Sequence, residues 1–136
     1  PEAGKPTFGI EDDQMEIGIG IHGEPGRTRK PLAGVREIIA EMAAAVIGDL
    51  ECKSDDRLIA MVNGMGATPL IELYIAYGEL AQICIAKGMT IDRRLVGNFI
   101  TSLDMAGCSI TLLKADDELL ELWDAPVCTP GLRWGI

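Results

Sequence analysis

The sequence predicts an α/β fold of α+β-like character: a two-layer domain with a mixed β-sheet of about six strands and helices packed on one face. Three observations lead there. Two long segments, residues 31–50 and 69–87, repeat apolar residues at three- and four-residue steps, the period of a helix with one buried side. Around them lie short runs that either alternate apolar with polar residues or are continuously aliphatic, as half-buried and fully buried strands do. The links include hairpin turns as well as helix-containing passages, which suits a mixed sheet. At 136 residues, 48% hydrophobic but only 4% aromatic, the chain fits one domain spanning 1–136 with an aliphatic core.

In chain order, a short strand is expected near residues 7–10, then an acidic turn at Glu11-Asp12-Asp13. Met15, Ile17, Ile19 and Ile21 alternate with Glu16, Gly18, Gly20 and His22, which reads as a strand running to His22 with the imidazole turned away from the core. Glu24-Pro25-Gly26 closes that strand. Pro31 opens the first helix, whose apolar face is Val35, Ile38, Ile39, Met42, Ala43, Val46, Ile47 and Leu50. Residues 57–62 form the aliphatic run of a central strand. Thr68 as N-cap and Pro69 as first helical residue predict a second helix to Lys87, with Gly88 as its left-handed stop and Leu70, Leu73, Tyr74, Tyr77, Leu80, Ala81 and Cys84 in the buried stripe. Residues 90–94 and 96–100 read as extended, residues 104–107 as a turn and residues 109–114 as a further strand. Residues 116–123 make a short helix whose acidic first turn suits the helix dipole.

Composition removes several function classes. A formal net charge of −9 argues against a nucleic-acid surface, which needs clustered Lys and Arg to face phosphates. The one basic cluster, Arg27, Arg29 and Lys30, reads as solvated rather than as an anion site. Cys52, Cys84, Cys108 and Cys128 contain no pair at CxxC spacing, so they read as free thiols, not metal ligands, and a reducing, cytoplasmic location is expected. No run approaches the ~20 apolar residues of a membrane span, and no charged-then-apolar signal opens the chain. Because the chain starts at Pro1 without a methionine, it is expected to be a fragment of a longer protein.

A few places offer chemistry. Residues 63–69 have the strand, glycine turn and helix order that can aim backbone N–H groups at an anion. They lack the lysine of a P-loop, and a tight connection that needs glycine at positive φ is the favoured reading. Thr101-Ser102-Leu103-Asp104 offers hydroxyls and a carboxylate, but a chain with one histidine has none to spare for a serine triad there, so turn duty is favoured. Asp116-Asp117-Glu118 reads as dipole compensation. His22 remains, the only histidine, set in Gly18-Ile19-Gly20-Ile21-His22-Gly23-Glu24-Pro25-Gly26, where small neighbours leave room for a small molecule. On the residues alone, a hydrogen-bonded surface histidine is the commoner state, and Glu24 reads equally as a turn residue or as a group that polarises His22. A lone histidine makes no metal site, whereas a neutral imidazole, with an ordinary pKa near ~6.5, is a nucleophile toward a carbonyl carbon.

Together with that glycine-histidine segment, Asn63-Gly64-Met65-Gly66-Ala67-Thr68-Pro69-Leu70, Thr101-Ser102-Leu103-Asp104-Met105-Ala106-Gly107 and Leu122-Trp123-Asp124-Ala125-Pro126 resemble, in order and nearly end to end, the substrate-binding (DhaK-type) subunit of the dihydroxyacetone kinase family. What they resemble is its second, C-terminal domain, so 1–136 is expected to be one such domain lacking the N-terminal one. The resemblance implies a glycerone kinase that holds dihydroxyacetone as a covalent hemiaminal on His22, with Gly20 and Gly23 as substrate-binding neighbours. It implies no cofactor on this chain. ATP or ADP with Mg²⁺ belongs to a nucleotide-binding (DhaL-type) subunit or domain, which passes a phosphoryl group to a terminal hydroxyl of the substrate. A homodimer is implied as well. The family's Gly-Gly-Gly-Ser-Gly-His-Glu-Pro loop, aspartate and second histidine belong to the first domain and do not occur here, so the isolated chain is expected to be inactive alone. The competing implication is a non-enzymatic dihydroxyacetone sensor of the same fold that acts on a transcription regulator.

Overall fold

A computed structural model describes residues 9–20, 24, 26–102 and 105–135. Strands β1 (Gln14–Ile17) and β2 (Thr28–Pro31) form an antiparallel hairpin in which Gln14 faces Pro31 and Ile17 faces Thr28. Two expectations change here. The first strand stops at Ile17 rather than continuing through residues 18–20, because Gly18 takes φ +78 and turns the chain out of the extended region. Pro31 closes β2 instead of opening a helix, a position at a strand end where its missing N–H is harmless. The expected strand at residues 7–10 falls partly outside the described residues, and Gly9 and Ile10 belong to no strand.

Helix α1 (Val35–Asp49) starts after an extended Gly34, which supplies no side-chain cap. Its buried residues Ile39, Ala43 and Ile47 recur every fourth position, so one narrow stripe faces the sheet. Strand β3 (Arg57–Gly64) is central: Leu58, Ala60 and Val62 point to the helices, while Ile59 and Asn63 are buried on the other side. Helix α2 (Leu70–Ala86) buries Leu73, Ala76, Leu80 and Cys84 against the same layer, whereas Leu70 and Tyr74, expected in that stripe, are exposed because they lie outside the narrow arc that Leu73, Ala76, Leu80 and Cys84 turn to the sheet. It ends as expected at Gly88, at φ +77, where Met89 N–H reaches back to the Cys84 carbonyl at 3.0 Å and Met89 itself enters the core.

Strand β4 (Thr90–Gly97) runs parallel to β3, with α2 as the crossover, and β5 (Cys108–Lys114) runs antiparallel on the other side, giving the order β4-β3-β5. This is the mixed sheet the sequence predicts, with α1 and α2 on one face. Residues 90–97 form a single strand, and its pairing slips where Leu58 faces Ile91 but Ile59 faces Arg93, leaving Asp92 as a bulge. Side chains fully removed from water, Ile39, Leu58, Leu73 and Leu80 among them, supply about 2 kcal/mol each.

Helix α3 (Asp117–Asp124) is capped by Asp116, whose carboxylate accepts from Leu119 N–H at 2.9 Å, so the acidic start does cap and dipole work as expected. Arg57 donates to Asp117 and Arg93 grips Asp124 through two nitrogens, at 2.7 and 2.6 Å. Both arginines share the face of Ile59, so α3 lies across the side of the sheet opposite α1 and α2. A small hairpin of β6 (Val127–Cys128) and β7 (Arg133–Trp134) follows, bringing Trp134 onto Trp123 with ring centres 5.6 Å apart. The described strands thus number close to expectation but are divided among one three-stranded sheet and two hairpins.

Candidate functional site

The segment singled out by sequence lies between β1 and β2. His22 and Gly23 lie outside the described residues; what surrounds them is tied down on both limbs. Arg27 N–H donates to the Ile17 carbonyl at 2.8 Å, closing the loop at its base, and Gly20 N–H donates to the Glu24 carbonyl at 3.2 Å, drawing together the residues that bracket His22. Between these ties, Gly26 N–H donates to Glu16 Oε1 at 2.7 Å. Arg29, directly across the hairpin, donates to Glu16 Oε2 at 2.9 Å. The Arg29 guanidinium, with Gly26 N–H, holds the Glu16 carboxyl below the ordinary carboxylate range.

The glycines of this segment lie against charged side chains. A Cβ at Gly18 would lie 2.7 Å from Arg27 Cγ, and one at Gly20 would meet the Glu24 carboxylate. A Cβ at Gly26 would strike Glu16 Cγ. Their lack of side chains lets the loop fold onto its own acidic and basic groups. The basic cluster is likewise largely committed: Arg29 pairs with Glu16 and Lys30 with Glu41. Arg27 instead lines an open groove of about 790 Å³ shared with Val46, Leu50, Ile110 and Leu112, which sets the loop beside the C-terminus of α1 and the β5 edge of the sheet.

Residues 63–69 and 98–107 meet at the C-terminal ends of the parallel strands. Asn63, 2% exposed, accepts from Phe99 N–H and Ile100 N–H at 2.9 and 2.8 Å and donates to the Ile100 carbonyl at 2.7 Å. Sequence reading passed over Asn63; its signal is a polar residue ending an aliphatic strand. Thr68 is not the cap of α2, which Pro69 precedes without a side-chain bond. Its hydroxyl is taken by Gly107, accepting from the N–H at 2.8 Å and donating to the carbonyl at 3.0 Å. Ser102 Oγ accepts from Met105 N–H and donates to the Met65 carbonyl, the turn duty expected of it. Leu103 and Asp104 lie outside the described residues. Gly66, at φ +115, makes residues 63–69 the tight glycine connection that sequence favoured.

The four cysteines are free thiols, and burial pushes Cys84 and Cys108 up, away from thiolate chemistry. Among the described residues no three His, Cys, Asp or Glu side chains converge to hold a metal, and no helix is long and apolar enough to cross a membrane.

With this geometry in place, the sequence matches the Dak1 domain over residues 1–131. The chain belongs to the Dak1 domain family. It is 46% identical, over 99% of its length, to the dihydroxyacetone-binding subunit DhaK of the PEP-dependent dihydroxyacetone kinase of Escherichia coli, and 37% identical to a D-erythrulose kinase of Mycolicibacterium smegmatis. It covers 45% of the first and 23% of the second, so it spans less than half the length of these Dak1 relatives. Among solved structures, the dihydroxyacetone kinase operon co-activator Dha-DhaQ superposes with a TM-score of 0.83 at 32% identity, over 90% of this chain and 38% of that one. The dihydroxyacetone kinase from C. freundii in complex with AMP-PNP and Mg²⁺ does so at 0.72 and 25% identity, over 89% and 22%. Fold and family expectations from the sequence therefore hold.

Proposed function

We propose that this Dak1 chain is the C-terminal domain of a dihydroxyacetone-binding kinase subunit and that His22 captures the substrate covalently. The observation that carries the reading is the near full-length similarity to a subunit named for binding dihydroxyacetone, across the one segment of this chain that contains a histidine. In the proposed step, the unprotonated imidazole nitrogen adds to the ketone carbon. The carbonyl electron pair moves to oxygen, which takes up a proton, and the other ring nitrogen releases one, leaving a neutral hemiaminal. Nothing is oxidised and no water leaves.

Capture fixes a small, flexible triose so that one terminal hydroxyl is presented in a constant direction, turning a loose encounter into a positioned one. It also selects for a carbonyl: glycerol, similar in size and polarity, has no carbon to attack. Erythrulose offers the same ketone chemistry, in keeping with the erythrulose kinase among the relatives. A nucleotide with Mg²⁺ on a DhaL-type partner supplies the phosphoryl group and its charge neutralisation; no residue of this chain is assigned to hold it. Support for such neighbours comes from the exposed side of α2, where Ile71, Tyr74 and Ile75 form an apolar strip of the kind that packs against another domain or a second copy.

The experiment is carbon NMR of dihydroxyacetone labelled at its ketone carbon and mixed with the complete protein. The bound signal is expected at a tetrahedral carbon, and His22→Ala is expected to abolish it together with phosphorylation. Bound ligand that keeps its carbonyl signal overturns the reading. The likeness to a co-activator supports a second outcome, capture of the ketone without phosphoryl transfer, and turnover with a nucleotide-bearing kinase subunit separates the two.

A further inference from the structure

One acidic side chain that the capture step does not use sits at the base of the segment that carries His22. Glu16 lies on β1, its side chain only 11% exposed, and both of its oxygens are engaged: Oε1 by Gly26 N–H at 2.7 Å and Oε2 by Arg29 at 2.9 Å. The first bond is made to the limb of the loop that returns from His22, and the second is made to the residue directly opposite on β2. A Cβ at position 26 would run into the Glu16 side chain, so the glycine lets the two approach this closely. A long hairpin loop rich in glycine has high conformational entropy, so without such ties it would sample many arrangements.

We propose that Glu16 is a positioning residue for His22: its carboxylate ties Gly26, on the chain returning from His22, to the hairpin, and this tie favours substrate capture. The inference rests on His22 being the capturing residue. Charge matters as well as shape. A carboxylate can accept from Gly26 N–H and Arg29 at once, whereas a glutamine at the same place has one acceptor oxygen and would turn its amide hydrogens toward Arg29. Glu16 touches no substrate atom in this account, and its effect passes through the loop backbone alone.

The test uses the complete protein and three forms, the parent, Glu16→Ala and Glu16→Gln, with labelled dihydroxyacetone as the probe. Losing a charge-assisted bond to the loop is expected to lower the adduct-to-free equilibrium about tenfold or more in Glu16→Ala, with Glu16→Gln in between. Thermal unfolding of the three-stranded sheet is expected to be nearly unchanged. Amide hydrogen exchange supplies the second readout: Glu16→Ala should speed exchange in residues 18–27 and leave β3 as it was. Adduct levels within about twofold of the parent, or unchanged exchange in the loop, overturn the proposal. If the parent itself forms no adduct, the His22 reading fails, and exchange alone still decides whether Glu16 holds the loop.

Discussion

At the scale of single residues, Asn63 shows how a buried polar group can be worth more to a fold than its size suggests. Its side chain makes backbone-like bonds to both Phe99 and Ile100, so the chain leaving β4 is clamped onto the end of β3. Removing it strands two amides away from their acceptor. Asn63→Ala is expected to cost about 1–3 kcal/mol, read as a lower urea midpoint at unchanged slope; a loss under about 0.5 kcal/mol would contradict the clamp. Asn63 gave no signal beyond being a polar residue at the end of an aliphatic run, because its partners lie about forty residues away and no local pattern names them. Thr68 illustrates the converse. Its position is ideal for a cap, yet its hydroxyl bonds Gly107 because a neighbouring loop reaches it first.

At the scale of elements, the helices and central strands were legible because their apolar periods are long and consistent, and the glycine stop at Gly88 carries its own signal. The hairpin was harder. Apolar–polar alternation continues through Ile21, but alternation is a side-chain pattern, and the backbone of a glycine at φ +78 overrides it. Pro31 misled for a related reason: it suits the first turn of a helix and the end of an edge strand equally well, and the Met15–Lys30 pairing decides between them. The short helix α3 is held by charges. Arg93 keeps the Asp124 carboxyl below the ordinary carboxylate range, and Asp56 is lowered by Lys53 N–H and Lys114. Depressed folded-state values stabilise the native state above the ordinary carboxylate pKa of about 4, and that contribution is lost as pH falls through the lowered value. On acidification below about pH 4, the fluorescence of the stacked Trp123 and Trp134 is therefore expected to change no later than the far-ultraviolet signal of α1 and α2. Tryptophan emission that stays constant until the long helices have melted would contradict the assigned role of these pairs.

At the scale of the molecule, the Dak1 family was legible in motif order more than in any physical pattern. Composition argued against nucleic-acid and metal roles, and periodicity placed the two long helices. The glycine-histidine segment carries the resemblance, and an added Cβ at Gly18 or Gly20 would meet the Arg27 or Glu24 side chain. The core of α1, α2 and the sheet contains no described residue of the loop, and the hairpin is tied to α1 by the Lys30–Glu41 ion pair. The chain spans 45% of the Escherichia coli subunit it resembles, so the capturing histidine is proposed to work with groups contributed by a further domain and a nucleotide-bearing partner. The most direct test of that account is a crystal structure of the complete protein soaked with dihydroxyacetone. Density continuous from a ring nitrogen of His22 to the ketone carbon, now tetrahedral, is the expected result; a planar, unattached dihydroxyacetone beside an unmodified His22 would contradict it.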